Sequence, residues 1–83
     1  MAKILVVDDD PDFVEITRTV LKANGYEVST ATNGDQALSS MRKDLPDLVL
    51  LDVMMSTLLD GLNLSHVMSE DPVLKRVPII MVS

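Results

Sequence analysis

Val6 to Asp12 reads VVDDDPD, so two apolar residues run straight into Asp8, Asp9, Asp10 and Asp12. Like charges this close repel by about 1 kcal/mol per pair in water, and by several times that near a protein surface. A further acid, Asp52, ends the apolar run PDLVLLD, and Ser83 ends the run VPIIMVS. Carboxylates from two strand ends that meet at one point form an oxygen-only site with room for water. Such a site suits magnesium, or manganese in its place. Zinc is disfavoured, because the chain has no cysteine and one histidine, His66. Once a divalent cation binds, repulsion becomes attraction, and the site can accept an anion such as a phosphoryl group. Ser83 adds a hydroxyl at its edge.

Simpler roles compete for some of these residues. Asp10 and Asp12 read as a helix cap and a first-turn acid that favours the helix dipole. A cap does not require an acid on the last residue of a strand, so Asp8 and Asp9 are harder to explain in that way. Asp52 alone could be a solvated strand end, and serines such as Ser83 end strands everywhere. His66 falls within a helical segment, where a surface or packing role is expected. The six methionines read as core and gap fillers.

The elements that must position these residues are legible from periodicity. Lys3 to Asp8 is a continuous apolar run, as in a strand buried on both faces. Asp10 followed by Pro11 predicts a cap and a first helical residue. Phe13, Ile16, Val20 and Leu21 recur at helical spacing, and Asn24-Gly25 ends that helix. Tyr26 to Ala31 alternates, as an edge strand does. Asn33-Gly34-Asp35 opens a short helix carrying Ala37, Leu38 and Met41, with Arg42 and Lys43 at its end, where the dipole favours cations. Pro46 to Asp52 predicts a second doubly buried strand, Val53 to Asp60 a loop, and Gly61 to Glu70 a third helix. Val77 to Ser83 predicts a third doubly buried strand.

Alternating strands and helices predict a parallel sheet with right-handed crossovers. Ligands of such sheets bind beyond the carboxyl ends of the strands, where Asp8, Asp52 and Ser83 all fall. Most acids sort to that end: Asp8, Asp9, Asp10, Asp12, Glu15, Asp35, Asp52 and Asp60. Lys3, Lys22, Arg42, Lys43, Lys75 and Arg76 sort to the other. A negative mouth with no Lys or Arg to neutralise it is a place for a cation.

Composition narrows the class. Eighty-three residues, 47% apolar and 24% charged, make one small α/β domain. A net charge of −6 disfavours direct binding to nucleic acid or an anionic membrane. No apolar run reaches membrane-span length, and the opening MAKILVVDDD does not read as a signal peptide. The absence of cysteine fits a reducing compartment, so a cytoplasmic location is expected.

ILVVDDDPD, PDLVLLDVMM, DGLNL and VPIIMVS, in this order and spacing, resemble the receiver domain of two-component response regulators. The resemblance runs from Lys3 to Ser83. It implies a flavodoxin-like α/β fold, here a parallel sheet of four strands with three helices and without the last helix, strand and helix of a receiver. It also implies that Asp8 and Asp9 hold magnesium together with Asp52 and the backbone carbonyl of Met54. Asp52 is then the phosphoacceptor, which takes its phosphoryl group from a sensor histidine kinase or a phosphotransfer protein, and Ser83 senses that group. Such a domain is a signalling phosphoprotein in a phosphorelay, not a turnover enzyme, although self-dephosphorylation can accompany it.

Two departures stand out. Ser56 stands where the family usually has proline, and one extra residue precedes Asp60-Gly61. The strand that carries the family's conserved lysine has no counterpart in residues 1–83, and Lys75 lies about 16 Å from the active end at strand spacing. The expectation is a single domain over 1–83 that ends after the fourth strand. Its Ile79, Ile80, Met81 and Val82 would form an interface, either with a second copy through the exposed sheet edge or face, or with the missing segments. The alternative is a receiver that no longer signals and serves as a pairing module. Two enzyme motifs match only in part. Asp8 and Asp10 have the spacing of haloacid-dehalogenase-type phosphatases, and Asp8-Asp9…Asp12 spells the DDxxD of prenyl synthases. Both classes are much larger proteins, and the second is all-helical.

Overall fold

The computed structural model describes residues 2–52 and 58–82, and the side chains of all of these except 52 and 58–62. Strand β1 (Lys3–Val7) leads to helix α1 (Pro11–Ala23), β2 (Glu27–Ala31), α2 (Gly34–Lys43), β3 (Leu48–Asp52) and α3 (Leu58–Glu70). A single 3-10 turn (Leu74–Arg76) then precedes β4 (Ile79–Val82). The strands form one parallel sheet in the order β2-β1-β3-β4. The three helices and four parallel strands agree with the α/β fold that the sequence implies.

Local chemistry explains most of the boundaries. Asp10 is extended, and its side chain accepts the Asp12 N–H at 3.0 Å, with Pro11 as the first helical residue. At the other end of α1 the Gly25 N–H bonds the Lys22 carbonyl and the Tyr26 N–H bonds the Leu21 carbonyl. This closure needs a left-handed residue, and Gly25 supplies it with φ of 88°. Asn33 caps α2 by accepting the Gln36 N–H at 2.9 Å, and the Gln36 side chain reaches back to the Thr32 N–H at 3.0 Å.

One layer of the core lies between the sheet and helices α2 and α3. Leu5, Val7, Ala31, Val49 and Leu51 of the strands pack with Ala37, Met41, Leu64 and Met68 of the helices. The other face of the sheet carries Ile4 and Val6, both buried, and α1 packs there against β1 and β2. The base of the sheet is tied by Lys3. Its ammonium bonds Asp44 at 2.6 Å, and its backbone N–H donates to the Asp47 carboxylate at 2.7 Å. The hydrogen bond and charge of Asp44 hold the Lys3 ammonium above its ordinary pKa.

Three expectations are corrected, and one element is added to them. Helix α3 begins at Leu58, three residues before Gly61, and runs through that glycine. The 3-10 turn over Leu74–Arg76 had no sequence forecast; Asp71 nucleates it by accepting the Val73 and Leu74 N–H groups at 2.8 and 3.1 Å. In α1, Ile16 and Val20 are 66% and 54% exposed, so half of the apolar stripe read there does not reach the sheet. The last strand is not doubly buried: Ile80 is 49% and Met81 46% exposed. Burial on both faces needs elements above and below, and β4 has β3 as its one sheet neighbour among the described residues.

Asp71 also makes this turn sensitive to acid. Its two backbone hydrogen bonds stabilise the carboxylate and lower its pKa below 3.8. The stabilisation is therefore complete above about pH 4, the range of an unfolded Asp, and is lost as pH falls through the lower folded value. Asp71→Asn should flatten the acid limb of a urea-midpoint against pH profile. An unchanged limb would remove Asp71 from the account.

Candidate functional site

Asp8 follows β1 directly, and its backbone N–H still bonds the Ala31 carbonyl of β2 at 3.0 Å. The side chain is 2% exposed, the one buried charged residue among those described. One of its oxygens, Oδ1, accepts the Asp10 N–H at 3.1 Å. This short loop turns the chain from strand to helix and fixes the carboxylate at the strand tip. Asp9 and Asp10 beside it are exposed.

Asp52 is the last residue of β3. β1 and β3 are neighbours, with Val7 paired to Leu51. Continued by one residue, that register sets the backbone of Asp52 beside that of Asp8, on strands about 4.8 Å apart. On its other side Asp52 pairs with Val82 of β4. The acids therefore converge where the strand order reverses. Chain connections leave β1 in opposite directions there, so a crevice opens at the carboxyl ends. The side chain of Asp52, and Met54 and Ser83 altogether, lie outside the described residues, as do Ser56 and the rest of 53–57 in the length-variant loop.

The donor set at this tip is oxygen alone. Asp8 and Asp9 supply carboxylates, and no cysteine or histidine competes with them. Among the described side chains no three of His, Cys, Asp or Glu gather into a complete metal cage. Two carboxylates with open positions left for water and a ligand oxygen are what a magnesium site requires, so the residues present fit that ion. His66 is placed apart, on α3, where it is exposed and pairs with Glu70 at 3.2 Å. Asp10 is engaged in capping α1 and Asp12 is an exposed first-turn acid, as the simpler reading of both residues had it.

Interface candidates Ile79 to Val82 form β4. Ile79 and Val82 are half-buried, and Ile80 and Met81 about half exposed. The sequence reading did not single out Asp71, whose signal was an acid followed directly by Pro72.

A doubly wound parallel sheet with acids at its switch point defines the general class. Comparison with known proteins narrows it. The family model described as "Response regulator receiver domain" matches residues 4–83. Response regulator PleD of Caulobacter vibrioides is 42% identical over 82 residues, which cover 99% of this chain and 18% of that protein. The probable transcriptional regulator ycf27 of Porphyra purpurea is 47% identical over 81 residues, covering 98% of this chain and 32% of that protein. Among solved structures, the N-terminal domain of a response regulator receiver protein from Methanoculleus marisnigri superposes with a TM-score of 0.92 at 37% identity. That match covers 100% of this chain and 67% of the other. Chemotaxis response regulator CheY4 of Vibrio cholerae gives 0.87 at 33% identity, over 98% of this chain and 67% of the other. The chain belongs to the response regulator receiver domain family, the phosphoacceptor class of two-component signalling. It spans a fifth to a third of the length of these curated relatives.

Proposed function

We propose that Asp52 is the phosphoacceptor of this chain, serving a sensor histidine kinase or a phosphotransfer protein. One observation carries the reading: the buried Asp8 and the strand-end Asp52 fall side by side in the β1–β3 register at the switch point. A carboxylate oxygen of Asp52 forms the new O–P bond as the N–P bond of the donor phosphohistidine breaks. The imidazole nitrogen leaves with that electron pair and takes up a proton. Asp8, Asp9, Asp52 and the carbonyl of Met54 would hold the metal. Bound there, magnesium or manganese offsets the charge on the phosphoryl oxygens. Asp8 orients the strand tip through its bond to the Asp10 N–H. The Ser83 hydroxyl donates to a phosphoryl oxygen and so reports its presence. The product carries about −1.5 to −2 charge, enough to bias a bistable surface.

This role is a single transfer to the chain's own residue, with slow self-dephosphorylation as its only turnover. The proposed setting is cytoplasmic. No helix among the described residues is long and apolar enough to cross a membrane. Direct contact with nucleic acid is not part of the role, given the charge of −6. The test is incubation with acetyl phosphate and magnesium, followed by intact-mass measurement. A gain of one phosphoryl group that disappears when EDTA replaces magnesium is expected. No gain with either metal overturns the reading.

A second reading, a pairing module that no longer signals, is favoured by the half-exposed Ile80 and Met81 of β4. It predicts self-association without phosphoryl uptake.

A further inference from the structure

Two asparagines of this chain stand directly before glycine, in Asn24-Gly25 and Asn33-Gly34. Such a pair can lose ammonia without an enzyme. The glycine N–H gives its proton to water or hydroxide, and the nitrogen attacks the asparagine Cγ. An N–Cγ bond forms, the Cγ–Nδ2 bond breaks, and Nδ2 takes up a proton and leaves as ammonia. Water then opens the five-membered imide at either carbonyl, leaving aspartate or isoaspartate. Glycine favours the attack because no Cβ crowds its nitrogen. Both asparagines are exposed, so neither sequence nor solvent access distinguishes them. Their hydrogen bonds and backbone angles do.

At Asn24 the structure opposes the reaction. The Gly25 N–H is held by the Lys22 carbonyl at 3.0 Å. The Asn24 Nδ2 donates to the Val20 carbonyl at 2.8 Å, which ties the side chain to the last turn of α1. A ψ of 12° turns the Gly25 nitrogen away from the Asn24 Cβ.

At Asn33 each feature is reversed. Gly34 is the first residue of α2, so its N–H is one of those that a helix start leaves without an intrahelical acceptor. A ψ of 176° holds the Gly34 nitrogen gauche to the Asn33 Cβ, a part-turn from ring closure. The Asn33 Oδ1 accepts the Gln36 N–H at 2.9 Å. That donor draws charge from Cγ and stabilises the oxyanion that forms on attack, as a backbone N–H does in acyl transfer. The positive end of the α2 dipole favours the ionised nitrogen and the oxyanion alike. The cap that starts the helix thus also activates the amide. We propose that Asn33 is a site of spontaneous deamidation in the folded protein and that Asn24 is protected from it.

The two products differ in consequence. Aspartate keeps an acceptor for the Gln36 N–H and puts a negative charge at a helix start, so α2 stays capped. Isoaspartate routes the main chain through the former Cβ and Cγ. This adds one carbon to the β2–α2 connection and removes the capping side chain. That connection lies beside the acid site, because Ala31, two residues earlier, accepts the Asp8 N–H at 3.0 Å. The modification does not depend on the role of Asp52.

The wild-type chain tests this when held at mildly alkaline pH, folded in one sample and unfolded in guanidinium chloride in another. Cleavage after Glu27 separates the two asparagines for mass measurement. In the folded chain a gain of one dalton should appear in the Asn33 fragment several times faster than in the Asn24 fragment. In the unfolded chain the two rates should converge, because the bonds that distinguish the sites are gone. Gly34 has no positive φ, so Gly34→Ala fits the helix and should suppress the gain without lowering the urea midpoint. Equal rates in the folded chain, faster conversion at Asn24, or no conversion at Asn33 while the unfolded chain converts would each overturn the inference. So would an Asn33 preference of the same size after unfolding, or an undiminished gain in Gly34→Ala.

Discussion

Asp52→Asn is expected to abolish phosphoryl uptake outright, while Asp8→Asn is expected to remove the response to magnesium and to stabilise the metal-free fold. The two substitutions are nearly isosteric, so the contrast isolates charge. At position 52 the amide replaces the oxygen nucleophile that the proposed role assigns to this residue. At position 8 the acid is 2% exposed, beside Asp9 in sequence and beside Asp52 in register, in a chain of net charge −6. Acids gathered in this way repel, and burial strengthens the repulsion. Asparagine keeps a carbonyl oxygen that can accept the Asp10 N–H, so the turn into α1 survives. The expected gain is about 1 kcal/mol in metal-free buffer, because part of the repulsion is screened. Wild type should gain thermal stability as magnesium is added, since an ion held by acids that only folding brings together would favour the folded state. Asp8→Asn should lose that gain. Thermal unfolding with and without magnesium measures both effects. An Asp8→Asn chain that is stabilised by magnesium as strongly as wild type would separate Asp8 from the metal and leave its burial unexplained.

Particular residues show what the sequence could disclose. The strands ending at Val7 and Asp52 were legible because a short continuous apolar run that stops at an acid has few other uses in a chain this small. Asp10-Pro11 and Asn24-Gly25 marked the ends of α1 because each pair has one local role, a side chain accepting an N–H at one end and a positive φ at the other. These are nearest-neighbour effects, and they survive without tertiary information. Burial does not. Ile80 and Met81 have the composition of core residues, yet they stand half exposed, because burial depends on which elements lie over a strand. Ile16 and Val20 illustrate the same point on α1, whose apolar stripe is wider than the surface beneath it. The start of α3 was missed for a different reason. Asp60-Gly61 looks like a helix opening, but a glycine inside a helix costs only about 1 kcal/mol, and neighbouring leucines can outweigh it. At the site, Asp8 was found from charge clustering at a strand end, and its grouping with Asp52 came from the shared carboxyl ends of the strands and from the receiver-like order of motifs, while the side-by-side register of the two backbones needed the strand order. No local pattern states that β3 lies beside β1.

Leu5→Ala is expected to cause the largest loss of stability of any single apolar truncation in β1. Leu5 is fully buried, and β1 is an interior strand flanked by β2 and β3. Its side chain enters the core layer shared with Met41, Leu51, Leu64 and Met68. Deleting that much buried side chain costs about 2–5 kcal/mol, since a cavity remains as well as the lost transfer energy. A domain of this length has roughly 4–12 kcal/mol in total at typical stability per residue. The substitution thus removes a large fraction of it, and the urea midpoint should fall steeply. Ile80→Ala is the matched control on the edge. That side chain is 49% exposed, so the monomer should lose about 1 kcal/mol or less. The consequence extends to the site, because β1 carries Asp8 three residues beyond Leu5. A loosened β1 should weaken magnesium binding in proportion to the unfolded fraction and no further. Magnesium should then recover part of the midpoint of Leu5→Ala by mass action, which it cannot do for Asp8→Asn. A fall of less than about 1 kcal/mol for Leu5→Ala would mean that the core closes over the gap, placing it far below the usual range for such deletions.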